Sequence, residues 1–288
     1  MEPRFGFHAH PMRWRPLRSA SRKKGETMLK KLVSLGAACA LLFGISGCCC
    51  GKKKTIRIMP VGDSITRGSH VDISNMTANI HAGGYRKPLQ DKLKAAGYHY
   101  LFVGELDYWA YGKDGVCDPD FQRMHHGLAG FSNDGILNGG VVPTPQMDLD
   151  RLGVKELRVP GILEVIDRQK PDVILLMSGT NGFGEEGRNR LIRAICDHFT
   201  GTLFVATIPP QKAPRTGCER VAEYNRSLPE FLDTLKDAKC KVVFVDMFSR
   251  LTEDDILGDG VHPSLDGLAK MADVWFEAIQ AHRKELEK

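Results

Sequence analysis

From Thr55 onward, short runs of β-branched and aromatic residues alternate with longer stretches in which apolar positions recur every three or four residues. The first pattern belongs to strands and the second to amphipathic helices, so together they predict an α/β domain with a parallel sheet. Five strands are expected, at 55–61, 99–104, 173–178, 202–208 and 241–246. Several are near-continuous apolar runs, as in Val173-Ile174-Leu175-Leu176-Met177, which marks strands covered on both faces. Helices are expected at 84–96, 159–169, 186–199, 219–237 and 265–285, with stops at Gly97, before Pro171 and at Gly201. No repeat or linker divides 55–288, so one domain with about five parallel strands accounts for the pattern. Only Glu105 to about Arg158 breaks the rhythm. That stretch is too long for an ordinary connection, and Tyr108, Trp109 and Tyr111 favour an ordered loop packed near a site.

The beginning of the chain follows a different rule. Met28-Leu29-Lys30-Lys31 precedes an uncharged apolar run from Leu32 to Ile45, followed by Ser46-Gly47-Cys48. A charged start, about 14 apolar residues and a small-residue end describe an export signal, since roughly 20 are needed to cross a bilayer. Ile45-Ser46-Gly47-Cys48 resembles the bacterial lipobox, in which the cysteine thiol is acylated and becomes the new N-terminus. The resemblance implies a lipid anchor at Cys48 and an exported, membrane-anchored lipoprotein of the cell surface or periplasm; the alternative is a plain signal peptide. Residues 1–27 are expected to be a disordered or mis-assigned extension, 28–47 the signal, 48–54 the anchor and a lysine-rich linker, and 55–288 the functional domain.

Charge, sorted the same way, removes one class of partner. The 288 residues are 42% apolar and 26% charged, with a formal net charge of +5. Residues 1–47 hold nine of the 40 basic and two of the 35 acidic side chains, which leaves 31 against 33, or −2, for 48–288. A domain without a basic field is not built for nucleic acid. Of eight cysteines, Cys117, Cys196, Cys218 and Cys240 belong to the domain, where they form up to two bridges or serve as small buried apolar residues. Their spacing is not that of a zinc site, and no metal or cofactor is expected. His125-His126, without nearby acidic or cysteine ligands, reads as a solvated loop pair. Glu185-Glu186 and Asp254-Asp255 read as helix-start or surface charges.

Four short motifs carry chemistry. Gly62-Asp63-Ser64 follows the first strand and sets a serine at the carboxyl end of a central strand, where open α/β sheets bind ligands. Asp259-Gly260-Val261-His262 supplies what a serine nucleophile needs: an imidazole base, and a carboxylate three residues away to fix its tautomer. Taken alone, that motif also fits a helix start, with Asp259 or Ser264 as the cap of the last helix and His262 as a loop residue. Asn181, in Ser178-Gly179-Thr180-Asn181, offers a side-chain amide to a developing oxyanion. In the loop His126-Gly127-Leu128-Ala129-Gly130-Phe131-Ser132, a glycine lets a backbone N–H approach the same oxygen; with the Ser64 N–H this makes three donors. All four motifs fall where strands of a parallel sheet end on one edge.

In these blocks the chain resembles the SGNH (GDSL) hydrolase superfamily: Ser64 in Gly-Asp-Ser, Gly130, Asn181 in Gly-Thr-Asn and His262 in Asp-x-x-His occur in order across 55–285. Within it, residues 58–66, Gly84-Tyr85-Arg86 and the Gly127-to-Phe131 loop are similar to acetylxylan-esterase-like carbohydrate esterases. The resemblance implies a flavodoxin-like three-layer α/β/α sandwich, no metal, and removal of acetyl or other short acyl groups from carbohydrate through an acyl-serine intermediate. Ser64 would be the nucleophile, His262 the base and Asp259 its orienter, with Ser64, Gly130 and Asn181 forming the oxyanion hole. Gly182 stands where the family usually has Asp, which bears on the geometry of the Asn181 turn. A lysophospholipase or thioesterase would use the same residues, and a non-catalytic glycan-binding surface lipoprotein could keep the same fold.

Overall fold

The computed structural model describes residues 54–68, 83–107, 120–142, 149–150, 153–213 and 215–288. The expected extension, the expected signal with Cys48 and the expected linker through residue 53 lie outside the described residues, as do Tyr108, Trp109, Tyr111 and Cys117. Eight strands are described: β1 (Ile56–Gly62), β2 (Tyr100–Phe102), β3 (His126–Gly127), β4 (Gly139–Val142), β5 (Leu157–Pro160), β6 (Val173–Met177), β7 (Thr202–Ala206) and β8 (Lys241–Val245). The main sheet runs β2-β1-β6-β7-β8 with all neighbours parallel, the strand order of flavodoxin-like folds. Its five expected strands are all present. The chain passes from β1 outward to β2 and later returns to β6 on the other side of β1, so the strand order reverses between β1 and β6 and a crevice opens at their carboxyl ends.

The free edge of β1 is shared between two short strands. β2 pairs with Ile56 to Ile58 and β3 with Val61 and Gly62. Ile58 accepts from Val103 and Gly62 accepts from Leu128 on that edge, so Pro60, two residues from each, faces the gap between β2 and β3. A central-strand proline, which lacks an N–H, is tolerated there because no neighbouring strand requires the donor.

The helices are α1 (Ser64–Arg67), α2 (Arg86–Ala95), α3 (Asn133–Asn138), α4 (Ile162–Gln169), α5 (Glu185–His198), α6 (Cys218–Arg226), α7 (Leu228–Asp233), α8 (Leu265–Ala281) and α9 (Arg283–Leu286). Alternate strand residues feed opposite layers. Ile56, Ile58 and Val173 pack with Leu89, Leu93 and Trp275 of α2 and α8, whereas Met59, Val61 and Ile174 pack with Val165 and Ile195 of α4 and α5. Two covered faces make the three-layer α/β/α sandwich and explain the uninterrupted apolar strands.

Three expected helices differ from the pattern. Leu157–Pro160 pairs antiparallel with β4 before α4 begins, because Gly139 to Val142 offers it a ladder that periodicity cannot reveal. Expected helix 219–237 breaks at Ser227, where Pro229 in the first turn of α7 lacks the N–H needed to continue α6. The last helix breaks at His282, whose backbone leaves the helical region with φ −107° and ψ 7°.

Candidate active site

Where β1 ends, the backbone is too crowded for a side chain. A Cβ on Gly62 would lie 2.2 Å from the Met177 carbonyl oxygen and 2.4 Å from Thr66 Oγ1, so glycine is what allows β1 to lie beside β6 and turn at once into α1. Asp63 caps that turn by accepting from the Ile65 N–H at 3.0 Å, and Ser64 opens α1 with only 7% of its surface exposed. The second Asp63 oxygen accepts a short hydrogen bond from the Thr180 hydroxyl. Burial raises the Asp63 carboxyl above the ordinary carboxylate range, against the lowering pull of the Thr180 and Ile65 donors.

Ser64 Oγ lies 2.8 Å from His262 Nε2, although the two residues are 198 positions apart. On the other side of the ring, His262 Nδ1 lies 2.6 Å from Asp259 Oδ2. The carboxylate favours a proton on Nδ1, which leaves Nε2 as the acceptor facing the serine hydroxyl. Asp259 is fixed locally: its Oδ1 accepts from the Val261 N–H at 2.9 Å and the His262 N–H at 3.0 Å. Burial tends to raise its pKa, but those two donors and the ring outweigh it and hold the carboxyl below its usual value. The helix-cap role falls to Ser264, which accepts from the Gly267 N–H at 3.2 Å, so Asp259 is free to meet the ring.

The remaining candidate donors stand on the same edge. Gly130 has φ +80°, a left-handed conformation that favours glycine. The carbonyl of the next residue, Phe131, accepts from the Asn181 side-chain amide at 3.1 Å, so the Gly130 loop and the Asn181 turn touch. An amide nitrogen carries two hydrogens, and this bond uses one of them. Gly182 closes the Asn181 turn by donating to the Gly179 carbonyl at 3.1 Å, and a Cβ at 182 would meet nothing within 4 Å. The turn therefore forms without an Asp at 182 and has room for one.

Two residues that motif reading passed over, Asn133 and Tyr224, join Ser178 of the Asn181 motif in supporting these turns. Ser178 Oγ donates to Asn133 Oδ1 at 2.7 Å, Asn133 Nδ2 donates to the Tyr224 hydroxyl at 3.1 Å, and that hydroxyl donates to the Ser178 carbonyl at 3.2 Å. This closed triangle joins the start of α3, which follows the Gly130 loop, to the turn after β6. Asn133 directly follows the Gly130 motif and Tyr224 lies far from any motif, but neither residue type marks chemistry on its own, so only their burial beside the site reveals them.

The reading of His125-His126 as a solvated pair is corrected. Both are fully buried, since β3 inserts beside β1 with His126 in register with Val61. His125 Nδ1 accepts from the Gly127 N–H at 2.9 Å. Neither ring nitrogen of His126 has a hydrogen-bond partner, and burial pushes its pKa down to about 4. Among the described residues no group of three or more His, Cys, Asp or Glu side chains is placed to hold a metal ion. Glu185 and Glu186 open α5, and Asp254 and Asp255 lie in the short 3-10 turn Glu253–Asp255, where Asp255 is buried and bound to Lys270 at 2.7 Å rather than solvated. Cys196, Cys218 and Cys240 are free thiols.

A hydroxyl, an imidazole and a carboxylate in line at the carboxyl edge of a doubly wound sheet define the class of serine-dependent acyl hydrolases. The chain belongs to the GDSL-like lipase/acylhydrolase family, whose model matches residues 58–275. It is 28% identical over 249 residues to a multidomain esterase of Ruminococcus flavefaciens, in an alignment covering 80% of this chain and 29% of that protein. The chain thus spans less than a third of that relative. Among solved structures, a Clostridium thermocellum family 3 carbohydrate esterase is 25% identical with a TM-score of 0.57, covering 82% of this chain and 100% of that one. An acetyl esterase crystallised with an acetate ion shares the fold at 18% identity and a TM-score of 0.60, covering 81% and 100%.

Proposed function

We propose that the protein is a carbohydrate O-acetylesterase in which Ser64 is the nucleophile, His262 the general base and acid, and Asp259 the residue that orients the ring. The unbroken line from Ser64 through His262 to Asp259, at 2.8 Å and 2.6 Å, carries this reading. Ser64 Oγ attacks the ester carbonyl as its proton passes to His262 Nε2, and the Asp259 carboxylate stabilises the imidazolium that forms. The oxyanion is received by the Ser64 and Gly130 N–H groups and the Asn181 amide, and collapse of the intermediate returns the proton to the sugar oxygen. Water then attacks the acyl-serine with His262 again as base, releasing acetate and the Ser64 hydroxyl. The name of the Clostridium relative supports a carbohydrate ester as substrate, and that of the Ruminococcus relative supports an ester.

The same proposal includes export and a lipid anchor at Cys48, supported by the apolar run and the Ile45-to-Cys48 sequence. Labelled palmitate should enter the full chain in a bacterium that processes lipoproteins, and Cys48→Ser should abolish the label.

The deciding assay compares 4-nitrophenyl acetate, octanoate and palmitate, followed by acetylated xylan. Release that falls steeply with chain length, and a loss of at least about 10³-fold in kcat for Ser64→Ala at unchanged Tm, are expected. Full activity in Ser64→Ala would overturn the assignment of roles, and faster cleavage of palmitate would overturn the short-acyl substrate.

A further inference from the structure

Two thiols on the far side of the sheet from α2 and α8 approach each other more closely than packing alone requires. Cys196, near the end of α5, and Cys240, immediately before β8, have their sulfurs 2.9 Å apart and are both buried. Non-bonded carbons sit about 3.5–4.0 Å apart and sulfur is the larger atom, so this is closer than ordinary contact. Both elements are independently fixed: β8 is held by its ladder to β7, and the Lys239 ammonium donates to the Asp197 carbonyl at 2.7 Å beside the pair. Cys218 stands apart on α6, half-buried.

We propose that Cys196 and Cys240 are a disulfide-forming site that takes a disulfide oxidant, such as a small-molecule or protein disulfide, and that the bond staples α5 to β8. Of three possible connectivities among the four domain cysteines, this selects the one that also pairs Cys117 with Cys218 or leaves those two as thiols. Cys240 lines a surface groove with Leu235, Lys236 and Phe244, which gives an oxidant a way in. Its thiol is also the easier of the two to ionise, because Cys196 can donate its S–H to the resulting thiolate. The Cys240 thiolate attacks one sulfur of the oxidant and expels the other as thiolate. Cys196 then gives its proton to that leaving thiolate and attacks Cys240 in turn, releasing the second half. Two protein S–H groups are oxidised and one external disulfide is reduced to two thiols.

Oxidised glutathione, applied both to the folded protein and during refolding from denaturant, tests the site. The expected product joins the Cys196 and Cys240 peptides, at the mass of the two thiols less two hydrogens, with neither cysteine open to alkylation after unfolding. Closing a loop between residues 44 positions apart should raise Tm by about 5–15 °C over the reduced protein. Cys196→Ala and Cys240→Ala should each abolish the redox-dependent shift, whereas Cys218→Ser should keep it. Ester turnover should survive in both oxidised and reduced forms, because neither thiol belongs to the catalytic line. Alkylation of both cysteines after either treatment, or a bridge from one of them to Cys218, would overturn the proposal.

Discussion

The Thr180 hydroxyl donates to the fully buried carboxylate of Asp63, which ties the residue before Ser64 to the residue before Asn181. Each partner is the chain neighbour of a group proposed to touch the substrate, so this bond sets the distance between the serine turn and the amide turn. Phe131 repeats the arrangement from the third loop, since it follows Gly130 and holds the Asn181 amide. Three loops separated widely in sequence are thus held by the neighbours of their reacting groups, leaving those groups on the surface of the crevice.

Thr180→Val keeps the shape of that side chain but removes the donor. It should destabilise the protein by about 1–3 kcal/mol, the cost of leaving a buried acceptor without its donor. Pairing it with Asp63→Asn should cost less than the sum of the single changes, because both disturb the same hydrogen bond. Urea unfolding of the four proteins in the cycle measures both; strict additivity would show that the two side chains do not act together.

Asp259→Asn preserves size but takes away the charge that favours a proton on His262 Nδ1. A fall in kcat on the order of 10³- to 10⁴-fold is expected, with Ser64 and His262 both present. Tm should change little, because an amide oxygen at this position can still accept from the Val261 and His262 N–H groups. Steady-state kinetics on 4-nitrophenyl acetate give the first value and a thermal melt the second.

At the turn after β6, Asn181→Ala should lower kcat by about 10²- to 10³-fold with a small effect on KM, as loss of an oxyanion donor does. Gly182→Asp, one residue on, should keep both parameters within about threefold, since the site has open space for a side chain and the backbone there needs no left-handed conformation. Strong loss of activity in Gly182→Asp would mean that the glycine itself is required.

His126 makes stability depend on acid. Its folded pKa of about 4 lies below the ordinary value of 6.5, so the unfolded chain takes up the proton first as pH falls. The neutral ring's contribution is therefore intact above pH 6.5 and is lost progressively toward pH 4. Between pH 7.5 and 4.5 the wild type should lose about 2–3 kcal/mol more than His126→Leu, if the leucine fills the same space. Chemical denaturation of both proteins at the two pH values provides the comparison, and parallel losses would rule out His126 as the source.

Strands were the most legible part of the fold, because uninterrupted apolar runs such as Val173–Met177 have few other stable fates than a sheet covered on both sides. Helix ends were less so. Pro229 breaks one helix and β4 claims the start of another, and in each case a partner or a missing N–H overrides the periodicity. The segment between Glu105 and Arg158 gave no periodic signal because its described elements, β3, α3 and β4, are two to six residues long. His125 and His126 were misread for that reason: two polar residues look solvated until β1 is found beside them.

The chain by itself determined whatever depends on near neighbours. Three residues separate Asp259 from His262, and a tight loop is enough to bring carboxylate to ring; Gly62-Asp63-Ser64 likewise forms its own capped turn. Local order also fixed which residues carry functional groups and that their motifs follow strands. Tertiary structure alone decided the distances between motifs: Ser64 to His262 across 198 positions, Thr180 to Asp63 across 117, and Cys196 to Cys240 across 44. Those contacts arise only when the order of strands in the sheet is set, and that order is chosen by the packing of two helical layers on the sheet rather than by any single segment.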